Sequence, residues 1–368
     1  MKLMINASNL YVGGGVQVAV SVIDELTQIK TDFIAAVSPI VMLQLGDESK
    51  SKCILIDSSP SKILNFKARK QLDSLVLNNN ITIVFTIFGP SYWSPKNVKH
   101  AVGFALPWLI YDTSKIMPKL SLPARMKTRL LKFLQPYFYR KNADIIFTET
   151  EDVKNRVVKL LSISECNVHT VSNTLNAIFK DLSAYDHSVI KRLPTKKDNE
   201  IWLLTITHNY PHKNLGVISR LVELLPENFK FVLTVPTSFT NVIPEHLKKR
   251  VIVVDTVSVK QCPVLYQLCD ALFLPTLLEC FSASYLEAMF MERLILTSDL
   301  SFAHTVCHNA AIYFDPYDEN DIADKIKTAF SSEELFLGKI EDGIKQYKKF
   351  PSSRERAVNY LTCLSKHA

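Results

Sequence analysis

Nothing in this chain approaches the roughly 20 consecutive apolar residues that a bilayer-spanning helix requires, which argues against a helical membrane span. Its opening residues lack the pattern of a secretory signal, because Lys2 leads at once into "LMINAS", a strand-like run too short for a secretory core. Seven cysteines, an odd number without regular spacing, argue against a disulfide framework and against zinc. The compartment to expect is a reducing cytoplasm. Internal repeats and low-complexity segments are also missing, which leaves an ordinary globular chain. Its 368 residues predict about two domains at roughly 150 residues each. A composition of 47% hydrophobic and 21% charged residues supplies ample core.

What is present is unevenly spread. Residues 1–181 hold 22 Lys/Arg against 14 Asp/Glu, whereas the remainder holds 21 against 22. A basic half beside a neutral half suggests that the two face different partners. Short runs rich in Ile, Val and Phe alternate with longer helix-period segments. "KLMINAS", "FIAAVSP", "ITIVFTIF", "VKHAVGFAL" and "ADIIFTE" read as strands in the first half. "EIWLLTIT", "KFVLTVP", "VIVVD", "ALFLPT", "LILTSD" and "AIYFDP" do so in the second. Continuous apolar runs separated by helices fit parallel strands covered on both faces. The expected fold class is therefore α/β, with two doubly wound sheets. The polar stretch 182–200 is the expected boundary between a domain of 1–181 and one of 182–350, and 351–368 reads as a final helix expected to pack back toward the N-terminal domain. Ligands of such sheets bind beyond the carboxyl ends of the strands, in a cleft between two such domains.

"LPTLLECFSASYLEAMF" runs from a strand end into a helix pattern and carries Glu279 and Glu287, eight positions apart. Ser282 or Ser284 could cap the helix, and Ser284-x-x-Glu287 is itself a capping-box pattern. A lone Glu279 could be a solvated loop carboxylate. The functional reading rests on what lies between the two. The N–H groups of Phe281 to Ser284 would open a helix and form an anion site suited to phosphate. An ionised carboxylate only accepts hydrogen bonds, so one acid could hold ribose hydroxyls and the other sugar hydroxyls. The pattern suits a nucleotide diphosphate sugar.

The stretch "PTLLECFSASYLEAM" resembles the E-x7-E motif of the family 4 glycosyltransferases, retaining enzymes of the GT-B fold. The resemblance implies that Glu279 sits beside the donor sugar and Glu287 holds the ribose. Cys280, Phe281, Ser282 and Ala283 would then present backbone to the diphosphate. Cys280 and Ser282 replace the customary glycines and would narrow the pocket. "PHKNL" resembles the segment whose lysine, here Lys213, grips the diphosphate. A positioned ammonium would stabilise the charge that develops as the sugar leaves. An arginine usually stands five residues earlier; His208 holds that place, and a histidine is a weaker permanent cation than an arginine. No Asp-x-Asp occurs anywhere in the chain. Enzymes of this chemistry that chelate a metal generally need that pair, so a metal-independent reaction without cofactor is expected. His304 and His308 have helical i, i+4 spacing but no apparent third ligand.

Near the N-terminus, Gly13, Gly14 and Gly15 lie between a strand and a helix, with Val18 where a dinucleotide fingerprint needs a third glycine. The resemblance implies that glycines here, Gly14 and Gly15 among them, let backbone approach the donor phosphate or acceptor. Many members of the family carry a histidine at the end of "VKHAVGFALPWLIYD"; the corresponding positions here are Phe104, Ala105 and Leu106, with Trp108 beyond, and His100 lies earlier in the strand. The resemblance implies a front-side displacement without a fixed protein nucleophile, so the missing histidine does not exclude transfer.

Residues 115–141, "KIMPKLSLPARMKTRLLKFLQPYFYRK", hold eight Lys/Arg and no acid. Arg125, Lys127, Arg129 and Lys132 mix with Leu, Phe and Tyr as in an interfacial helix. Each cation near an anionic leaflet contributes about 1 kcal/mol. A solvated helix over the first sheet is the plainer alternative. No nucleic-acid module accompanies the patch, and nucleic acid is not expected as a partner. The combined expectation is a retaining, peripheral-membrane glycosyltransferase with an acceptor domain and a donor domain. It would move a hexose-type sugar from a nucleotide diphosphate to a lipid-linked oligosaccharide of a bacterial surface polysaccharide (O-antigen or capsule). An epimerase of the same fold and a non-catalytic nucleotide-sugar-binding subunit are the alternatives.

Overall fold

A computed structural model describes residues 1–62 and 65–367. The chain forms two compact units. Unit 1 comprises Met1–Asp112, Ser121–Thr174 and Pro351–Ala368; unit 2 comprises Thr113–Leu120 and Leu175–Phe350. The division falls between Thr174 and Leu175, short of the polar stretch where composition placed it. Residues 177–192 explain the shift: they form successive 3-10 turns whose buried Phe179, Tyr185 and Val189 belong to unit 2. Polar bonds fasten the same stretch to its unit, with Arg192 donating to the Val254 carbonyl at 2.8 Å and Gln261 to Asp186 at 2.9 Å.

Unit 1 is built on β1 (Leu3–Ala7), β2 (Phe33–Val37), β3 (Cys53–Leu55), β4 (Ile83–Thr86), β5 (Lys99–Gly103), β6 (Ile145–Thr148) and β7 (Val168–Thr170). The strands pair in parallel in the order β3-β2-β1-β4-β5-β6-β7. Every residue of β1, β4 and β6 is buried, as expected of strands covered on both faces. The helix Gly14–Gln28 turns Val18, Ala19, Val22, Ile23 and Leu26 inward. The last helix, Ser353–Ser365, completes this core: Tyr360 lies with its ring 4.8 Å from Phe85 and 4.9 Å from Phe147. Its buried Arg356 donates to Asn173 Oδ1 at 2.6 Å and Ser21 Oγ at 2.7 Å.

Unit 2 contains β8 (Ile201–Thr205), β9 (Phe229–Leu233), β10 (Val251–Val253), β11 (Ala271–Leu274), β12 (Leu294–Ser298) and β13 (Ala311–Phe314). All pair in parallel, in the order β10-β9-β8-β11-β12-β13. The expected pair of doubly wound parallel sheets is what the molecule has. Strand order reverses between β1 and β4 in one sheet and between β8 and β11 in the other.

The basic stretch 115–141 does not act as one element. Thr113–Leu120 packs with unit 2, where Lys119 donates to Asn214 Oδ1 at 2.9 Å and the Lys115 ammonium lies 4.4 Å from the Tyr317 ring centre. The remainder is a 21-residue helix, Leu122–Asn142, whose Pro136, Tyr139 and Asn142 are buried in unit 1. Among the described residues no helix is long and apolar enough to cross a membrane.

Candidate active site

Loops that leave neighbouring strands at a topological switch point diverge and open a crevice. In unit 2 that point lies between β8 and β11, which pair directly. The loop after β8 forms two 3-10 turns, Pro211–Lys213 and Leu215–Val217, joined by Asn214 at φ 55°. Asn tolerates this left-handed conformation better than most residues, and its side chain donates to the Pro316 carbonyl at 2.9 Å. The regular helix starts only at Ile218. Lys213 therefore stands in a turn ahead of the helix.

Lys213 Nζ forms an ion pair with Glu279 Oε1 from the loop after β11. Both side chains are largely sheltered, 16% and 12% exposed, so screening by solvent is weaker than at a surface pair. The buried Thr276 fixes the acid from behind, its hydroxyl 3.2 Å from Glu279 Oε1. The His212 carbonyl holds the two loops together by accepting from Leu277 N at 2.7 Å and lying 3.3 Å from the Thr276 hydroxyl. Burial and the adjacent Lys213 push the His212 imidazole down to about 4, so it is neutral near pH 7.

The motif helix runs Ala283–Phe290 with Ser282 at its N-cap, and no side chain caps it. Its first-turn N–H groups thus have no side-chain acceptor and carry the positive end of the helix dipole. Ser284 lies inside the helix, so the capping box with Glu287 is not formed. Glu287 instead accepts from the hydroxyl of fully buried Tyr266 at 3.0 Å. Desolvation raises the Glu287 carboxyl to about 7, against the pull of the Tyr266 bond toward the ionised form. Cys280 and Ser282 are buried, and Phe281 packs edge-on against Phe350 at 6.1 Å.

Other candidates lie elsewhere. His208 is exposed, and its ring lies 5.6 Å from that of Tyr210, which stacks on His212. Gly14 and Gly15 belong to unit 1. There Gly13 adopts φ 71°, a conformation glycine tolerates, while Gly14 already opens the helix. His304 and His308 do not share a helical face, because the helix Ser301–Cys307 ends before His308, which has φ 47°. His304 pairs with Asp299 at 2.6 Å. Among the described residues no group of three or more His, Cys, Asp or Glu could hold a metal. His100 is buried against the Thr86 hydroxyl at 2.8 Å, and burial pushes it down to about 4. Arg125 and Lys132 are half-buried and engaged, whereas Lys127 and Arg129 are exposed. Sequence reading missed Tyr266, Thr276 and His212, whose roles come from contacts that no spacing encodes.

Residues 188–347 match the family model for glycosyl transferases group 1. The O-antigen chain mannosyltransferase RfbU of Salmonella typhimurium is 25% identical over 248 residues, 64% of this chain and 68% of the relative. A glycosyltransferase from Rickettsia africae superposes with a TM-score of 0.72 at 16% identity, covering 98% of this chain and 97% of the other. HepE of Anabaena, solved in complex with UDP, superposes with a TM-score of 0.69 at 11% identity over 100% of both chains.

Proposed function

We propose that this chain, a group 1 glycosyl transferase of the GT-B fold, moves a sugar from a nucleotide diphosphate donor to a hydroxyl of a lipid-linked surface oligosaccharide. The observation that carries the reading is the pairing of Lys213 with Glu279 at the switch point of unit 2, beside an uncapped helix start. A diphosphate entering there competes for the Lys213 ammonium and meets first-turn amides. Glu279, released from the lysine, accepts hydrogen bonds from the donor sugar, and Glu287 takes the ribose hydroxyls. The acceptor hydroxyl attacks the anomeric carbon on the face that the diphosphate leaves, so configuration is retained and no side-chain nucleophile is required. Its proton passes to the departing phosphate oxygen. Lys213 supplies cationic stabilisation, and turnover is expected to persist in a metal chelator.

The name of the Salmonella relative supports an O-antigen type of product, and the UDP complex of HepE supports a nucleoside diphosphate leaving group. Unit 1 is assigned the acceptor, with the protein working peripherally on the cytoplasmic membrane. A thermal-shift screen of UDP, GDP, ADP and dTDP tests the donor half. At least one should stabilise the protein, and Glu287→Ala should weaken that ligand while Glu279→Ala chiefly lowers turnover. Equal nucleotide affinity in wild type and Glu287→Ala would falsify the ribose assignment. Conversion of donor sugar without any acceptor would point to an epimerase instead.

A further inference from the structure

The helix Leu122–Asn142 presents apolar side chains to solvent. Leu122, Met126, Leu130, Phe133 and Tyr137 are between 50% and 79% exposed. Their spacing places all of them within an arc of about 80° on an α-helix. A stripe of this kind is normally the face by which a helix meets a core. Here the core contacts come from Tyr139 and Asn142 on the far side, with Pro136 buried at the stripe's flank. Single exposed apolar residues need no explanation, but a contiguous row of them marks an interaction site.

Cations border the row. Arg129 lies on one edge and Lys127 on the other; Arg140 and Lys141 close its C-terminal end, and all four are exposed. The Lys141 ammonium lies 5.6 Å from the Tyr137 ring centre, an aromatic beside a cation as found at bilayer interfaces. No acid occurs anywhere from 115 to 141.

We propose that this face inserts into the boundary between headgroups and acyl chains of an anionic bilayer. The helix axis would lie in the membrane plane, with Lys127, Arg129, Arg140 and Lys141 pairing with lipid phosphates. The proposal deepens the membrane placement suggested above and does not depend on the reaction chemistry. Charge selects the occupant. A second copy docking through the same stripe would bring two sets of cations together without a single acid on either helix, a repulsive arrangement. Anionic lipid satisfies both the apolar row and its rim, as the physics of interfacial helices requires.

Co-sedimentation with vesicles tests this. The full-length protein should bind vesicles of equal parts phosphatidylcholine and phosphatidylglycerol, and bind phosphatidylcholine alone far more weakly. The double variant Leu130→Ser/Phe133→Ser, which keeps every charge, should lose partitioning at least about tenfold. Lys127→Gln/Arg129→Gln should lose it chiefly on the anionic vesicles. Stabilisation of each variant by nucleotide reports that the fold and the donor site survive. Undiminished sedimentation of the serine variant, or no sedimentation of wild type, overturns the proposal. So does a dimer in sedimentation velocity that the serine variant abolishes. Vesicle binding lost with nucleotide stabilisation kept sinks the insertion face alone, whereas the reverse pattern sinks the transferase reading and leaves the face standing.

Discussion

Glu287 is the acid of the candidate site that burial brings to titrate near neutrality. Desolvation lifts its carboxyl from 4.5 to about 7, so below that pH the acid is neutral. Folding therefore retains a proton that the unfolded chain has released between those values. By linkage this group contributes stability below pH 4.5 that is lost as pH rises toward about 7. Ribose hydroxyls donate best to the ionised form, so binding pulls the other way. Nucleotide affinity should rise between about pH 6 and pH 8, with a proton released on binding near neutrality. Calorimetry in buffers of different ionisation enthalpy measures that proton. Glu287→Gln should abolish the pH dependence; its survival in that variant would mean another group titrates. Tyr266→Phe removes the bond that favours the ionised acid, which should move the rise to higher pH and weaken binding by roughly 2- to 10-fold at pH 7. At this scale Glu279, Glu287 and Lys213 were legible as candidates because "PTLLECFSASYLEAM" and "PHKNL" resemble a family motif, although their residue types alone fitted a cap and solvated side chains equally well. Tyr266 was not, because an aromatic in "CPVLYQL" reads as core until its hydroxyl is seen to reach a residue 21 positions away.

Secondary elements follow the same logic. Strands buried on both faces stood out as apolar runs, and these include β1, β4, β6 and β11. The two strands that sequence reading omitted, β3 and β7, are three-residue edge strands with partly exposed side chains. Their extended form depends on one neighbouring strand rather than on their own composition. The motif helix shows the opposite case, since its start was legible but its capping was not. Ser282 occupies the N-cap and makes no side-chain bond to the first turn, which keeps those amides available to a ligand. Ser282→Asp would supply the missing acceptor, a favoured N-cap substitution, and set a fixed negative charge where phosphate is proposed to bind. The variant should keep its helix content by circular dichroism while nucleotide affinity falls at least about tenfold. Unchanged affinity would remove the helix start from the donor site.

For the whole molecule, chain order and unit membership part company. The final helix belongs to unit 1, while Thr113–Leu120 from the first third of the chain belongs to unit 2. The return of the final helix was expected from the sequence, but no compositional signal marks the transfer of Thr113–Leu120, which depends on which surface a short segment finds complementary. The charge asymmetry survives the redistribution: unit 1 carries 22 Lys/Arg against 14 Asp/Glu and unit 2 carries 21 against 22. The proposal that the basic unit rests on lipid while the neutral unit binds soluble donor gives that difference a use. The final helix also makes the two units separable by experiment. Tyr360 fills the space between Phe85 and Phe147 in unit 1 and is remote in sequence from every donor-site residue. Tyr360→Ala should cost about 3–5 kcal/mol through the cavity it leaves. That loss should lower the unfolding transition of unit 1 by roughly 10 °C, whereas the transition that nucleotide raises, assigned to unit 2, should hold its position. Scanning calorimetry with and without the stabilising nucleotide reads both. A common fall of the two transitions would show that the units unfold as one body and that unit 2 depends on the core which the last helix completes.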